Sequence, residues 1–129
     1  MAGTENNPTV SIIIPTYNRS RLIARAVKNV LNQTYQDFEL IIVDDGSTDG
    51  TREVVAGFSD ERIRYVQHDK NRGEAAARNT GIKVARGEYI ASHDSDDEWL
   101  HEKLAKQIRA FENCSPEIGV VYTALSAFG

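Results

Sequence analysis

A chain of 129 residues, 40% of them hydrophobic, can bury one modest core and little more. Acidic residues outnumber basic ones, 19 to 15, for a formal charge of −4, and the basic ones are scattered along the chain, which argues against a nucleic-acid partner. A single cysteine cannot form an internal disulfide, no apolar run approaches bilayer length, and the start MAGTENNPT has no signal-like apolar segment, so the expectation is a soluble cytoplasmic domain.

Residues 1–8 read as a flexible polar tail. Residues 10–14, VSIII, read as a strand that Pro15 should end, because proline lacks the N–H that a central ladder needs. After the turn TYNRS, apolar residues Leu22, Ile23, Ala26, Val27, Val30 and Leu31 recur at three- and four-residue spacings, the stripe of an amphipathic helix for which Ser20 is a suitable cap. Residues 38–43, FELIIV, make a second strand closed by the polar loop DDGSTDG, and a shorter helix follows with Val54, Val55 and Phe58 inward. The less apolar IRYV, residues 63–66, suits a strand nearer the sheet edge. Past HDKNRG comes an alanine-rich helix to about Arg86, with Ala75, Ile82 and Ala85 expected against the sheet. Residues 89–92, YIAS, make a fourth strand. Trp99, Leu100, Leu104, Ile108 and Phe111 then mark an inward helical stripe, and residues 118–123, IGVVYT, a fifth strand. Strand-like runs alternate with helical stripes throughout. The pattern predicts an α/β domain, Rossmann-like, with a mostly parallel sheet and helices on both faces. The ending ALSAFG, with neither a closing helix nor a polar tail, suits the front part of a longer protein, and a complete small flavodoxin-like domain is the alternative.

In such a sheet, ligands bind beyond the carboxyl ends of the strands, near the switch in strand order. The loops placed there are PTYNR (15–19), DDGS (44–47), HDKNRG (68–73) and DSDD (94–97). Asp94, Asp96 and Asp97 crowded into one poorly solvated rim disfavour one another's ionisation, and a divalent cation resolves the conflict. In an extended D-x-D, Asp94 and Asp96 point the same way across Ser95. Mg²⁺ or Mn²⁺ suits them, since such an ion takes one or two carboxylates and completes its shell with waters and substrate phosphates. The competing reading is a cap, with Asp96 or Asp97 at the start of the Trp99 helix, favourable against its amide dipole. Asp44 and Asp45 suit ribose hydroxyls or a base N–H, with an Asx turn and a helix cap at Thr48 or Asp49 as the alternative. Gly73 at a helix start, with Arg72 before it and Arg78 one turn in, suits a diphosphate met by backbone amides and a guanidinium. A solvated side chain is the plainer reading of Arg78, although its spacing from Ala75 and Ile82 sets it close to the expected packed stripe. His68, His93 and His101 match no zinc spacing, and His93 either faces the core or reaches the rim. Cys114 has no partner histidine to make it a nucleophile. Neither G-x-S-x-G nor G-x-x-x-x-G-K-[ST] occurs, and no G-x-G-x-x-G follows the first strand.

Taken together, VSIIIPTYNR at 10–19, LIIVDDGSTD at 40–49, NRG at 71–73 with ARN-x-G at 77–81, and GEYI at 87–90 with DSDD at 94–97 resemble, in order and spacing, the inverting nucleotide-sugar glycosyltransferases of family two, which have the GT-A fold. The resemblance covers nearly the whole chain. It implies that Pro15, Thr16 and Tyr17 shape the wall around the nucleotide base, that Asp44 binds the base or ribose, that Asp45 supports that loop, and that Arg78 lies near the base and phosphates. Asp94 corresponds to the acid near the ribose and metal, Asp96 to the ligand of Mg²⁺ or Mn²⁺ on the donor's diphosphate, and Asp97 to a support for the loop or helix start. The implied donor is a UDP-sugar, with GDP- and dTDP-sugars as family variants. The implied acceptor is a saccharide or a lipid-linked sugar, which is compatible with peripheral association of the full-length protein with the inner face of a membrane. His101 departs from the proline that many relatives carry after the aromatic–leucine pair, a difference that bears on the helix start.

Family members run well past this length, and their later half supplies the acceptor pocket and the Asp or Glu that acts as general base. Residues 9–129 are therefore expected to be the donor-binding portion, inactive on its own, and no acid of this chain is assigned as the base. Three other readings meet the same residues less well. A nucleotidyltransferase that builds NDP-sugars needs a glycine-rich basic loop after the first strand, where PTYNR stands. A response-regulator-like binding domain uses a strand-end aspartate as phosphoacceptor but leaves PTYN and NRG unexplained. Against a degenerate scaffold that keeps the fold and has lost catalysis, Asp94 and Asp96 argue for retained donor binding but do not bear on the base.

Overall fold

The computed structural model describes residues 7–95 and 98–112, without the Phe111 side chain. Residues 1–6 of the polar tail, Asp96, Asp97, Cys114 and the fifth strand expected over 118–123 lie outside the described residues. Within them the elements are β1 (Val10–Thr16), α1 (Ile23–Leu31), β2 (Phe38–Asp44), α2 (Thr51–Ala56), β3 (Ile63–Gln67), α3 (Glu74–Val84), β4 (Tyr89–Ser92) and α4 (Lys103–Glu112). The strands form one parallel sheet in the order β3-β2-β1-β4. From β1 the chain steps outward through β2 to β3, then returns past β1 to lay β4 on its other side. The strand order therefore reverses at β1, and that is where a parallel sheet opens a crevice at its carboxyl end.

β1 and β2 are buried along their whole length, which explains why their sequences are nearly continuous apolar runs instead of alternating ones. One set of side chains, Val10, Ile12, Ile14, Leu40 and Ile42, packs with Ile23, Ala26, Val27 and Val30 of α1, Val55 of α2, and Trp99, Leu104 and Ile108. The other set, Ile13, Ile41 and Val43, packs on Ala77 of α3. Helices thus cover both faces, and each Ile or Leu fully buried between them contributes about 1.5–3 kcal/mol.

Four expectations change. Pro15 lies inside β1, paired with Val43, instead of ending the strand. The Ile13 carbonyl accepts from His93 N on the β4 side and the Thr16 carbonyl from Asp45 N on the β2 side. Strand alternation then turns the proline nitrogen toward β4, whose pairing stops at Ser92 opposite Ile13, so no ladder bond is lost. Ser20 does not cap α1; its N–H donates to Asp49 Oδ2 at 3.1 Å, and the first turn is closed by Leu22 and Ile23 N–H to the Arg19 carbonyl. In α3 the packed residues are Ala77 and Gly81, while Ala75 and Ile82 are exposed. A Cβ on Gly81 would lie 2.7 Å from Ile13 Cγ2, so the helix seats its backbone directly on the sheet at that turn. Ala85 does pack where expected.

The fourth change concerns α4. Trp99 is buried, but it precedes the helix, and Leu100 is 80% exposed. Asn29 of α1 holds the approach: its Nδ2 donates to the Trp99 carbonyl at 2.7 Å and its Oδ1 accepts from Trp99 N at 2.5 Å. Gln33 Oε1, just past the end of α1, then accepts Leu104 N in the first turn of α4 at 3.0 Å, a cap supplied from outside the helix. The helix starts at Lys103, and the cap expected from Asp96 or Asp97 lies outside the described residues. His93 faces the core, fully buried, with its ring 4.5 Å from that of Trp99 and its Nε2 3.0 Å from Asn29 Oδ1.

Candidate functional site

The loops that leave β1, β2 and β3 are tied to one another before any ligand is considered. Asn18 N donates to Ser47 Oγ at 2.8 Å and Thr48 N donates to Asn18 Oδ1 at 2.8 Å. This pair requires Asn18 at φ 52°, a left-handed conformation that asparagine tolerates. Arg19 N donates to Thr51 Oγ1 at 3.2 Å. Asp49, which accepts from Ser20 N, also takes the Thr51 hydroxyl and amide, and those bonds bring its carboxyl down to about 2. Gly46 stands at φ 83°, and a Cβ there would lie 2.7 Å from Lys70 C and Asn71 N. The β2 loop and the β3 loop therefore touch backbone to backbone, which only glycine permits.

Asp45 is the knot. It is 3% exposed; Oδ1 lies 2.8 Å from both Arg72 N and His68 Nδ1, and Oδ2 accepts Gly73 N at 2.8 Å. On the other side of the imidazole, His68 Nε2 lies 2.8 Å from Thr80 Oγ1 of α3. Burial by itself would raise the Asp45 carboxyl, but the bonds from His68 and the two amides outweigh it and hold the group below its ordinary range. Asp45 thus holds the β3–α3 loop, whereas the family resemblance implied a support for its own loop after β2. The same geometry corrects another expectation: Gly73 N–H, read as a diphosphate donor, is taken by Asp45. Asp44 is fully buried, its Oδ1 accepting Ser47 N at 2.8 Å and its Oδ2 the Tyr65 hydroxyl. Burial first and that bond second push the Tyr65 phenol up. Asp44 accordingly lies beneath the site in a turn of Asx type and is not part of the cavity wall.

Above it opens a cavity of about 410 Å³ at the carboxyl ends of β1 and β4. Its wall comprises Pro15 and Thr16 at the end of β1, Tyr17 and Arg19 after it, Asp45 after β2, Asn71, Gly73 and Glu74 at the entry to α3, and Asp94 and Ser95 after β4. The size and the few convergent polar groups suit a small ligand. Thr16 is 3% exposed, and its Oγ1 is buried without a hydrogen-bond partner among the described residues. A hydroxyl left unpaired inside a protein costs about 1–3 kcal/mol. Arg78 reaches the wall through its partners: Nη2 donates to Glu74 Oε2 at 2.7 Å and to Asp94 Oδ1 at 3.3 Å, and Nε to Ser92 Oγ at 3.2 Å. Asp94 is half exposed, with a carboxylate open to the cavity. Among the described residues no group of three His, Cys, Asp or Glu side chains converges on one point for a metal ion, and Asp96 is outside that set.

The structure therefore brings together Pro15, Thr16, Tyr17, Asp45, Gly73 and Asp94 in one wall, sets Arg78 just behind it, and leaves Asp44 underneath. Sequence reasoning missed Arg19 as a wall residue, although it stood in the PTYNR stretch, and missed Glu74 and the His68–Thr80 contact entirely. Glu74 reads as an ordinary solvated acid in a first helical turn, and nothing in spacing links His68 to Thr80.

Residues 11–126 match the profile of Glycosyl transferase family 2. The chain is 48% identical over 99 residues to an Escherichia coli enzyme, UDP-Glc:alpha-D-GlcNAc-diphosphoundecaprenol beta-1,3-glucosyltransferase WfgD, an overlap of 77% of this chain and 39% of that relative. Mannosyltransferase PcManGT from Pyrobaculum calidifontis, solved with GDP-Man and Mn²⁺, aligns with a TM-score of 0.77 at 32% identity over 88% of this chain and 34% of its own. S. aureus TarS 1-349 in complex with UDP aligns with a TM-score of 0.78 at 27% identity, over 88% and 38% respectively. The chain spans well under half the length of each of these three proteins. The shared architecture is the Rossmann-like α/β fold of the GT-A glycosyltransferases.

Proposed function

The chain belongs to glycosyl transferase family 2, and from that premise we propose that its cavity receives the nucleoside diphosphate of a nucleotide-sugar donor, a UDP-sugar in the first instance. The observation that carries the reading is the junction at β1, where a cavity with an unpartnered buried Thr16 hydroxyl is flanked by a guanidinium and an open carboxylate. Pro15, Thr16 and Tyr17 make the wall for the base and ribose, and Arg19 and Arg78 supply positive charge for the phosphates. Asp45 acts at one remove by fixing the loop that carries Asn71 and Gly73. Asp44 shapes the turn below, where a ligand that shifts Tyr65 or Ser47 would gain access to it.

The donor set suits Mg²⁺ or Mn²⁺. Asp94 offers an oxygen ligand beside open space, and these ions need only one or two carboxylates when substrate phosphates and waters complete the shell. Asp94 with Asp96 would hold the ion, which when bound offsets the charge that builds on the departing diphosphate. The proposed reaction is displacement with inversion: the acceptor hydroxyl loses its proton to a general base, its oxygen bonds to the anomeric carbon, and the bond from that carbon to the diphosphate oxygen breaks. The base and the acceptor pocket are assigned to the longer protein and to no acid described above. By its name, WfgD acts on a diphosphoundecaprenol-linked sugar, and a saccharide or lipid-linked acceptor, met at a membrane face, is proposed for the whole protein. No helix among the described residues is long and apolar enough to cross a membrane.

Calorimetric titration with UDP, GDP and dTDP, each with Mn²⁺ and with EDTA, tests the reading. The expected result is binding of one nucleotide, UDP foremost, that strengthens with Mn²⁺ and weakens at least about tenfold in Asp96→Ala and in Asp94→Ala. Equal binding with EDTA would remove the metal assignment, and no binding of any of the three would remove the donor site.

A further inference from the structure

Arg78 stands between two acids of the cavity wall. Its bond to Glu74 is short, 2.7 Å, and its bond to Asp94 is long, 3.3 Å, both from the same Nη2. Glu74 and Arg78 lie one turn apart on α3 in the acid-first order that favours an i,i+4 pair. Asp94 approaches from the far side, beyond β4. Two carboxylates therefore compete for one guanidinium, and the cluster carries one negative charge more than positive. Without Glu74, Asp94 is the remaining acidic partner of Arg78 among the described residues. A guanidinium does not lose its proton at any physiological pH, so it would then settle on Asp94 and neutralise the carboxylate that faces the cavity. Glu74 also suits the dipole at the start of α3, but that role needs no arginine, and the difference makes the two separable.

Resting on the donor-site reading above, we infer that Glu74 is a positioning residue for that site: by holding Arg78, it keeps the Asp94 carboxylate open to a divalent cation. The Arg78 side chain, held closely by Glu74 and only at 3.3 Å by Asp94, is then a counter-charge beside the site that can turn to an incoming phosphate.

Mn²⁺ alone is the probe. It is titrated into the chain while paramagnetic loss of the Ser92, His93, Asp94 and Ser95 amide NMR signals is followed in the wild type, Glu74→Gln, Arg78→Gln and the double variant. Glu74→Gln is expected to need about threefold more Mn²⁺ for half loss, the size of one exposed ion pair. In the Arg78→Gln background the same substitution is expected to shift the requirement by less than about 1.5-fold, because its effect runs through the arginine. An unchanged requirement in Glu74→Gln overturns the inference. So does a shift that persists with Arg78 removed, since that is the charge of Glu74 acting by itself, and so does a wild-type chain whose signals near Asp94 ignore Mn²⁺. A separate calorimetric arm adds UDP. A chain that shows the Mn²⁺ pattern but binds no nucleotide retains the role of Glu74 and loses the donor reading, whereas one that binds UDP with Mn²⁺ and is indifferent to Glu74→Gln does the reverse.

Discussion

Glu39 and Asp45 sit on one face of the same strand and its exit, about 20 Å apart along the chain direction, and each holds one end of α3, whose axis is about 16 Å long. At the amino end of the sheet, Glu39 Oε2 accepts the Ser11 hydroxyl at 2.5 Å and Arg86 N at 2.7 Å. Its Oε1 accepts Arg64 Nη1 at 2.9 Å, and the same Nη1 donates to the Val84 carbonyl, the last residue of α3, at 2.8 Å. Burial raises the Glu39 carboxyl, and the bonds from Ser11, Arg86 N and Arg64 more than reverse it, so the group is held below its ordinary range. At the carboxyl end Asp45, equally buried, makes the matching clamp with two amides and an imidazole. The contrast lies in the donors. Far from the cavity the clamp consumes guanidiniums; beside it, backbone and histidine do the holding, and Arg19 and Arg78 stay at the opening. A buried acid at a strand end is therefore no sign of ligand contact by itself, and in this fold it serves first to seat a helix.

Removing Glu39 should have the largest effect. Glu39→Ala leaves the Ser11 hydroxyl and Arg86 amide without their acceptor and separates Arg64 from its buried partner, which should lower stability by about 3 kcal/mol. That is the low end for a broken buried pair, because Arg64 and Arg86 both reach water. Urea unfolding measures the loss. UDP affinity of the folded protein, measured at low urea, should stay within about twofold of wild type. A parallel loss of affinity would show that the two clamps are one unit and would break the comparison.

Asp45→Ala should cost less in stability and more in binding. The freed Arg72 and Gly73 amides lie at a cavity where water can meet them, so the expected destabilisation is about 2 kcal/mol. The loop that carries Asn71 and Gly73 loses its fixed position, and a displacement on the order of 1 Å in a binding wall should weaken UDP at least about tenfold. Stability and affinity that fall in the same ratio as in Glu39→Ala would mean that Asp45 is only a second Glu39.

The contrast also explains what the sequence could and could not reveal. Apolar runs at 10–14 and 38–43 and the α1 stripe were legible because burial on one or two faces imposes a period that any local window shows. The rim was legible because topology alone places strand-end loops together. Glu39 was not legible: an acid inside an apolar strand carries no local mark of its partners, which lie at 11, 64 and 86. Pro15 misled for a related reason, since whether its missing N–H matters depends on where the neighbouring strand stops. Ala75 and Ile82 were chosen by size and spacing, whereas α3 seats by Gly81, the residue whose lack of a side chain permits the contact. Asp44 and Asp45 look alike in sequence, and only the third dimension puts one below the cavity and the other in its wall.

The smallest expected effect probes how the Asp45 clamp is built. Asp45 is an acceptor only, so His68 donates from Nδ1 to it, and Nε2 on the far side of the ring shares a hydrogen bond with the Thr80 hydroxyl. Through that contact the middle of α3 orients the imidazole that meets Asp45 at the helix's entry. Thr80→Val keeps the branched shape and deletes the hydroxyl. The expected loss is about 1 kcal/mol for one partly buried hydrogen bond, with UDP affinity changed by less than about twofold, because the Arg72 and Gly73 amides still meet Asp45. Thr80→Ser should restore the stability. A loss as large as that of Asp45→Ala would mean that ring orientation carries the clamp and the amides merely follow; no loss at all would mean that Asp45 holds His68 unaided. Either result would move the boundary between helix seating and ligand binding, and the second would leave α3 fastened at its entry by the loop alone.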